Sequence, residues 1–176
     1  DSAFLDRMHF YIPGWEIDTI RGEMFSDGYG FVVDYLAEIL RDQRGRDVSN
    51  EYEAFFSLGS DISTRDKEAI HKTFSGLLKI LFPHGQASEE EVKDILAFAI
   101  EGRKRIKDQL LRIDSTFAAV QFEFLNRDDE AFSVKTLEEE LYPRHYHKSA
   151  ASPATAEELE QQAGAAEEAV MGGEAA

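Results

Sequence analysis

Ser88-Glu89-Glu90-Glu91-Val92 opens a run that continues to Ile113, and this run sets the architecture. Ser88 with Glu91 three residues on is a capping box, the reciprocal pairing that starts a helix. Behind it Val92, Leu96, Ala99, Ile106 and Leu110 share one side at about 3.6 residues per turn. Arg103 falls in the middle of that apolar side. A guanidinium inside an apolar stripe needs a partner. Two kinds fit: a nucleotide phosphate, or an internal carboxylate or helix carbonyl, the internal partner being the ordinary one.

Working outward, Pro83-His84-Gly85 breaks the chain before this helix. Upstream, Ser63 caps a helix to about Phe82, with Asp66 at the third position and a stripe of Ile70, Phe74, Leu77, Leu78 and Leu81. Ser26-Asp27-Gly28 leads toward a helix over Phe31–Arg44. Phe31, Val32, Tyr35, Leu36, Ile39 and Leu40 lie on one of its faces, and Gly45 stops it. Glu51–Leu58 reads as a short helix ending at Gly59. His9–Ile12, closed by Pro13-Gly14, and Phe117–Leu125 read as strands. Four helices between two strands predict a mainly α fold, a helical bundle with short flanking strands.

The chain has 176 residues, of which 43% are apolar and 13 are Phe, enough for one domain with a core. Net charge is -16. Ser149–Ala176 carries six acidic residues, no Lys or Arg, and much Ala, Gly and Gln. Such a stretch predicts a disordered acidic tail. The organisation expected is residues 1–25, a helical domain over 26–125, a linker or short helix over 126–148, and the tail over 149–176. An acidic chain is not a general nucleic-acid binder. Arg103-Lys104-Arg105, Lys107 and Arg112 form the local exception, and DNA is a partner to consider there. Without cysteine there is no disulfide and no thiolate metal site. That fits a cytoplasmic protein, and no apolar run is long enough for a membrane span.

Phe4-Leu5-Asp6-Arg7-Met8 precedes the alternating run from His9. An arginine at such a turn can serve two purposes. It can reach across a subunit interface, where its planar fork holds two phosphoryl oxygens at once. It can also pair with Asp6 or a nearby carboxylate. Arg65, in the first turn of its helix, opposes the helix dipole unless that end faces a phosphate. Its ordinary alternative is a pair with Asp61 or Asp66. Other signals are weak. Gly28-Tyr29-Gly30 lacks the third glycine and the preceding strand of a dinucleotide loop. His145 and His147 would chelate a metal only with two further ligands, so no metal site is assigned. Glu138-Glu139-Glu140 reads as a solvated helix face. No G-x-x-x-x-G-K-[ST] run occurs, so this chain does not cradle a triphosphate alone.

Leu5-Asp6-Arg7-Met8 followed by a strand resembles the arginine-finger segment of Lon-type AAA+ proteases, and the longer run from Phe4 to Ile17 resembles the Lon-like AAA+ proteins of BREX phage-defence systems. So do Val33-Asp34-Tyr35-Leu36-Ala37-Glu38-Ile39, Ser63-Thr64-Arg65-Asp66, Lys72-Thr73-Phe74-Ser75-Gly76-Leu77-Leu78-Lys79 and Glu101-Gly102-Arg103-Lys104-Arg105-Ile106-Lys107. Order and spacing extend over about residues 4–125. The resemblance implies that 1–25 ends an AAA+ core and 26–125 is its helical lid. Arg7 would be the trans arginine finger and Arg65 the second sensor arginine, reading the γ-phosphate in cis. Arg103 is the secondary candidate for nucleotide contact. It further implies ATP and Mg²⁺, held by a core upstream of Asp1, a homo-oligomeric ring, and a link to DNA. The start at Asp1 is read as a break in a larger machine. The Lon-like Ser and Lys domain would follow the strand near Phe124, yet Glu138–Ala176 has no such motif. Two rival readings stand beside this one: a non-enzymatic helical adaptor, and part of an ATP-dependent serine protease acting on a protein substrate.

Overall fold

The computed structural model describes residues 2–141. In chain order they form α1 (Ser2–Leu5), α2 (Val33–Gln43), β1 (Phe56–Leu58), α3 (Thr64–Leu81), α4 (Glu89–Ile113), β2 (Glu123–Asn126), β3 (Ala131–Ser133) and α5 (Leu137–Leu141). Short 3-10 turns lie at Gly14–Glu16, Gly22–Met24 and Glu51–Ala54. Residues through Thr136 make one compact unit, and α5 lies outside it. The mainly α architecture with a little sheet is the one expected.

Two serines start the two long helices. Ser63 Oγ accepts the Asp66 amide at 3.3 Å at the head of α3. Ser88 Oγ accepts the Glu91 amide at 3.3 Å, and Glu91 Oε2 accepts the Ser88 amide at 2.7 Å. Each such cap is worth about 0.5–2 kcal/mol. Gly85, at φ 76°, turns the chain between the helices. The first turn of α3 meets the second half of α4 through Asp66 and Arg103, while residues 82–88 join their other ends. The two helices therefore run antiparallel.

Their facing sides make the core. Ile70, Phe74 and Leu78 of α3 pack with Val92, Leu96, Ala99 and Ile100 of α4. The sheet closes one side through Phe56 and Phe124, whose rings meet edge-on at 5.4 Å. Its order is β1-β2-β3, all antiparallel, with Leu58 opposite Phe124 and Phe124 opposite Phe132. Gly59 passes so near β2 that an added Cβ would lie 2.9 Å from Glu123 Cγ. In the β2–β3 turn Asp129 takes φ 60°, and Asn126 Oδ1 accepts the amides of Asp128 and Glu130.

Several local expectations fail for identifiable reasons. His9–Ile12 forms no strand: Phe10 instead packs on Phe98 of α4 at 5.1 Å between ring centres, with no strand beside it to complete a ladder. Glu51–Leu58 is a 3-10 turn followed by β1, because Phe56 belongs to the sheet core. Phe117–Leu125 is extended in the sheet only from Glu123, and its partner β3 was not foreseen. α2 has the expected amphipathic face, yet Phe31, Val32, Val33, Tyr35, Leu36 and Leu40 are exposed. The expected tail over 149–176, and His145 with His147, lie outside the described residues.

Candidate functional site

The site forms where the start of the chain crosses the antiparallel helix pair. Arg103, on the inward side of α4, is fully buried. Its Nε donates to Asp66 Oδ1 at 2.7 Å, and its Nη2 donates to Asp6 Oδ1 at 2.9 Å. Its Nη1 donates to the backbone carbonyls of Asp6 at 3.1 Å and Met8 at 2.5 Å. One guanidinium thus grips the chain on both sides of Arg7. The planar fork makes this possible, since an ammonium cannot span four acceptors in this arrangement.

Lys107, one turn further along α4, lies 3.2 Å from Asp66 Oδ2 and 3.8 Å from Asp6 Oδ1. Ser63 Oγ also donates to Asp66 Oδ2 at 2.5 Å. Arg65 Nη1 pairs with Asp6 Oδ2 from the exposed side. Burial alone would raise the Asp6 pKa; Arg65, Lys107 and Arg103 together outweigh it and hold the carboxyl below its ordinary value. His9 is held below the usual imidazole range by burial and by nearby Lys72 and Arg103.

Two more contacts fix the approach. Gly102 lets Phe10 lie directly on α4, because an added Cβ would overlap the ring. Arg105, buried, reaches Glu16 Oε1 at 2.5 Å and Glu101 Oε1 at 2.9 Å. Residues 6–16 are thereby pinned to one helix at three points. Arg7 itself is exposed, and its guanidinium has no hydrogen bond or ion pair among the described residues.

The expected site residues therefore separate. Arg7 and Arg65 both reach solvent, and of the two Arg65 is paired with Asp6. Arg103 is spent on internal carboxylates and carbonyls, the internal alternative raised for it, which leaves no donor for a nucleotide. Lys104, Arg105 and Lys107 are likewise buried, with Lys104 on Asp108 at 3.0 Å. They present no basic face. Sequence reasoning missed Asp6 and Asp66 as the partners of Arg103, Lys107 as a member of the same cluster, and Gly102 as the seat of Phe10. The available signals were a glycine within a long helix and a second cation one turn after a stripe arginine.

An arginine held out from a pinned turn, beside a second at a helix start, is suited to phosphate. Residues 1–123 match a family described as "Lon-like protease BrxL-like, ATPase domain", which gives the class: an ATPase-domain protein of the Lon-like kind. A protein of Bacillus cereus (strain H3081.97) named "Lon-like protease BrxL" is 46% identical over 129 residues, which are 73% of this chain and 19% of that protein. One of the same name from Escherichia coli O9:H4 (strain HS) is 43% identical over 148 residues, 81% of this chain and 21% of that protein. This chain belongs to the BrxL-like family. It spans about a fifth of the length of the curated relatives it matches.

Proposed function

We propose that this chain supplies the arginine finger and lid of an ATP-hydrolysing homo-oligomeric ring in BREX phage defence. Arg7 enters the neighbouring subunit's nucleotide site and neutralises charge on the transferring phosphoryl group. Arg65 contacts the γ-phosphate within its own subunit. The observation that carries this reading is Arg7: exposed, with no side-chain partner among the described residues, on a turn whose flanking carbonyls are fixed by Arg103. A surface arginine with no task does not require such a mount. Pre-set donors are effective because they need no reorganisation as charge develops.

The residues present fit ATP phosphates in part and do not fit the metal. Among the described residues no group of three His, Cys, Asp or Glu is placed to hold a metal ion. In this reading magnesium and the phosphate-cradling loop belong to other parts of the ring. The moved substrate is DNA or a protein. No helix among the described residues is long and apolar enough to cross a membrane, and the cytoplasm is the compartment proposed.

The test is steady-state ATP hydrolysis by the full-length protein. Arg7→Ala should lower kcat by ~10³ or more, the scale of measured arginine fingers, with little change in nucleotide affinity. Mixing Arg7→Ala subunits with subunits disabled in the phosphate loop should restore part of the activity, since some sites then pair an intact core with an intact finger. Loss without complementation refutes the trans role. The exposed apolar side of α2 favours a second reading, a non-enzymatic adaptor docking a partner there. In that case Arg7→Ala and Arg65→Ala leave the protein's activity intact.

A further inference from the structure

Asp6 receives two arginines from different elements, and they differ in what holds them. Arg103 is fully buried and also serves Asp66, so it cannot leave without giving up a second buried carboxylate. Arg65 is 59% exposed at its side chain, and among the described residues Asp6 is its one hydrogen-bond and ion-pair partner. An ion pair open to water holds its partners weakly, because water replaces either one.

The charges reinforce this asymmetry. The cluster sets two carboxylates, Asp6 and Asp66, against three cations, Arg103, Lys107 and Arg65. Without Arg65 the buried part is balanced, two against two. Arg65 is therefore the surplus cation, parked on Asp6 and free to exchange it for another anion.

We propose that Asp6 is a positioning residue shared by the two arginines. At rest it holds Arg65 off the phosphate. When nucleotide binds, Arg65 moves to the γ-phosphate, and Asp6 stays with Arg103 and Lys107. This rests on the assignment of Arg7 and Arg65 made above. Asp6 then has two opposite effects on the same reaction. It competes with ATP for Arg65, and it anchors the turn that carries Arg7. Contact with the nucleotide in one subunit is thereby felt at the finger that the same subunit offers its neighbour.

Asp6→Asn keeps the shape and removes the charge. In the full-length protein it should bind a fluorescent ATP analogue about fivefold more tightly, the lower end of coupling between sites. Its kcat should fall by about tenfold to a hundredfold, the scale for a misplaced reacting group. A merely structural role moves both quantities the same way, toward weaker binding and slower turnover. The gain in affinity should vanish when Arg65→Ala is added. Unchanged or weaker binding by Asp6→Asn, or a gain that survives Arg65→Ala, overturns the proposal. If Arg7→Ala and Arg65→Ala both hydrolyse ATP normally, the parent assignment falls and the shared role with it. If both lose hydrolysis while Asp6→Asn shows no gain, the sharing alone falls. Should Asp6→Asn not fold, a structure of the wild-type ring with a non-hydrolysable ATP analogue decides. Arg65 on the γ-phosphate supports the exchange, and Arg65 still on Asp6 overturns it.

Discussion

Replacing Arg103 by methionine keeps an unbranched chain of similar reach and removes every donor. Arg103 is fully buried and serves the carboxylates of Asp6 and Asp66 and the carbonyls of Asp6 and Met8. Breaking a buried pair by deleting one partner costs about 3–5 kcal/mol, chiefly because the other charge is left uncompensated. Lys107 remains within 3.2 Å of Asp66 and limits the loss, so about 3 kcal/mol is expected for Arg103→Met. That is a large part of the ~5–15 kcal/mol that holds a typical domain folded. The assay is urea unfolding followed by two signals. Trp15, the only tryptophan, lies beside the Arg105–Glu16 pair and reports the pinned segment. Far-ultraviolet circular dichroism reports α3 and α4. In the variant the Trp15 transition should shift to lower urea by more than the helical one. Asp66→Asn should also destabilise, and the double variant should lose less than the two singles added, by about 1–3 kcal/mol. A loss under about 1 kcal/mol for Arg103→Met, or strict additivity with Asp66→Asn, would refute the reasoning, because a buried charge would then be tolerated alone.

Gly102→Ala gains helix propensity of about 1 kcal/mol yet should lower stability overall, by about 1–3 kcal/mol, since the methyl displaces Phe10. A raised melting temperature would count against that contact. Leu96→Ala, in the core, should cost about 2–5 kcal/mol, whereas Leu36→Ala on the exposed side of α2 should stay within about 0.5 kcal/mol; thermal melts compare them. His71, hydrogen-bonded to Tyr52 Oη at 2.7 Å, is held below the usual imidazole value chiefly by burial. Its unfolded form binds the proton first, so the stability it contributes is complete above about pH 6.5 and is lost as pH falls through its folded value. Melting temperature should therefore decline from pH 7 toward pH 5, and His71→Gln should flatten that decline. Tyr52, buried and pushed up to about 12, stays protonated throughout that range.

The parts legible in the sequence are those written in local chemistry. Ser63 with Asp66 and Ser88 with Glu91 gave the heads of α3 and α4 to within a residue, because caps are local hydrogen bonds. The place of Arg103 on the apolar side was equally legible, being a matter of helical spacing. Its partners were not, since Asp6 lies 97 residues away and nothing local links the two. The same holds for Phe10. Its alternation with His9 and Tyr11 suggests a strand, and only the groove over Gly102 makes it a lone anchor. Phe56 reads as part of a helix until Phe124 and Phe132 are beside it. In the basic run 103–107 the types were clear, but their burial depended on carboxylates supplied by α1's end, α3 and Glu16.

The uncovered side of α2 has a consequence for how copies of this chain behave together. The sequence carries a net charge of -16, so copies repel one another. Their exposed Phe31, Tyr35, Leu36 and Leu40 attract at short range. Salt acts on these forces in opposite directions. It shrinks the reach of the repulsion from about 10 Å at 0.1 M to about 3 Å at 1 M. Sulfate and similar salts also strengthen apolar association. A solution that is clear in dilute buffer should therefore scatter more light as sulfate is added, and the charge that keeps it dispersed sets how much salt it withstands.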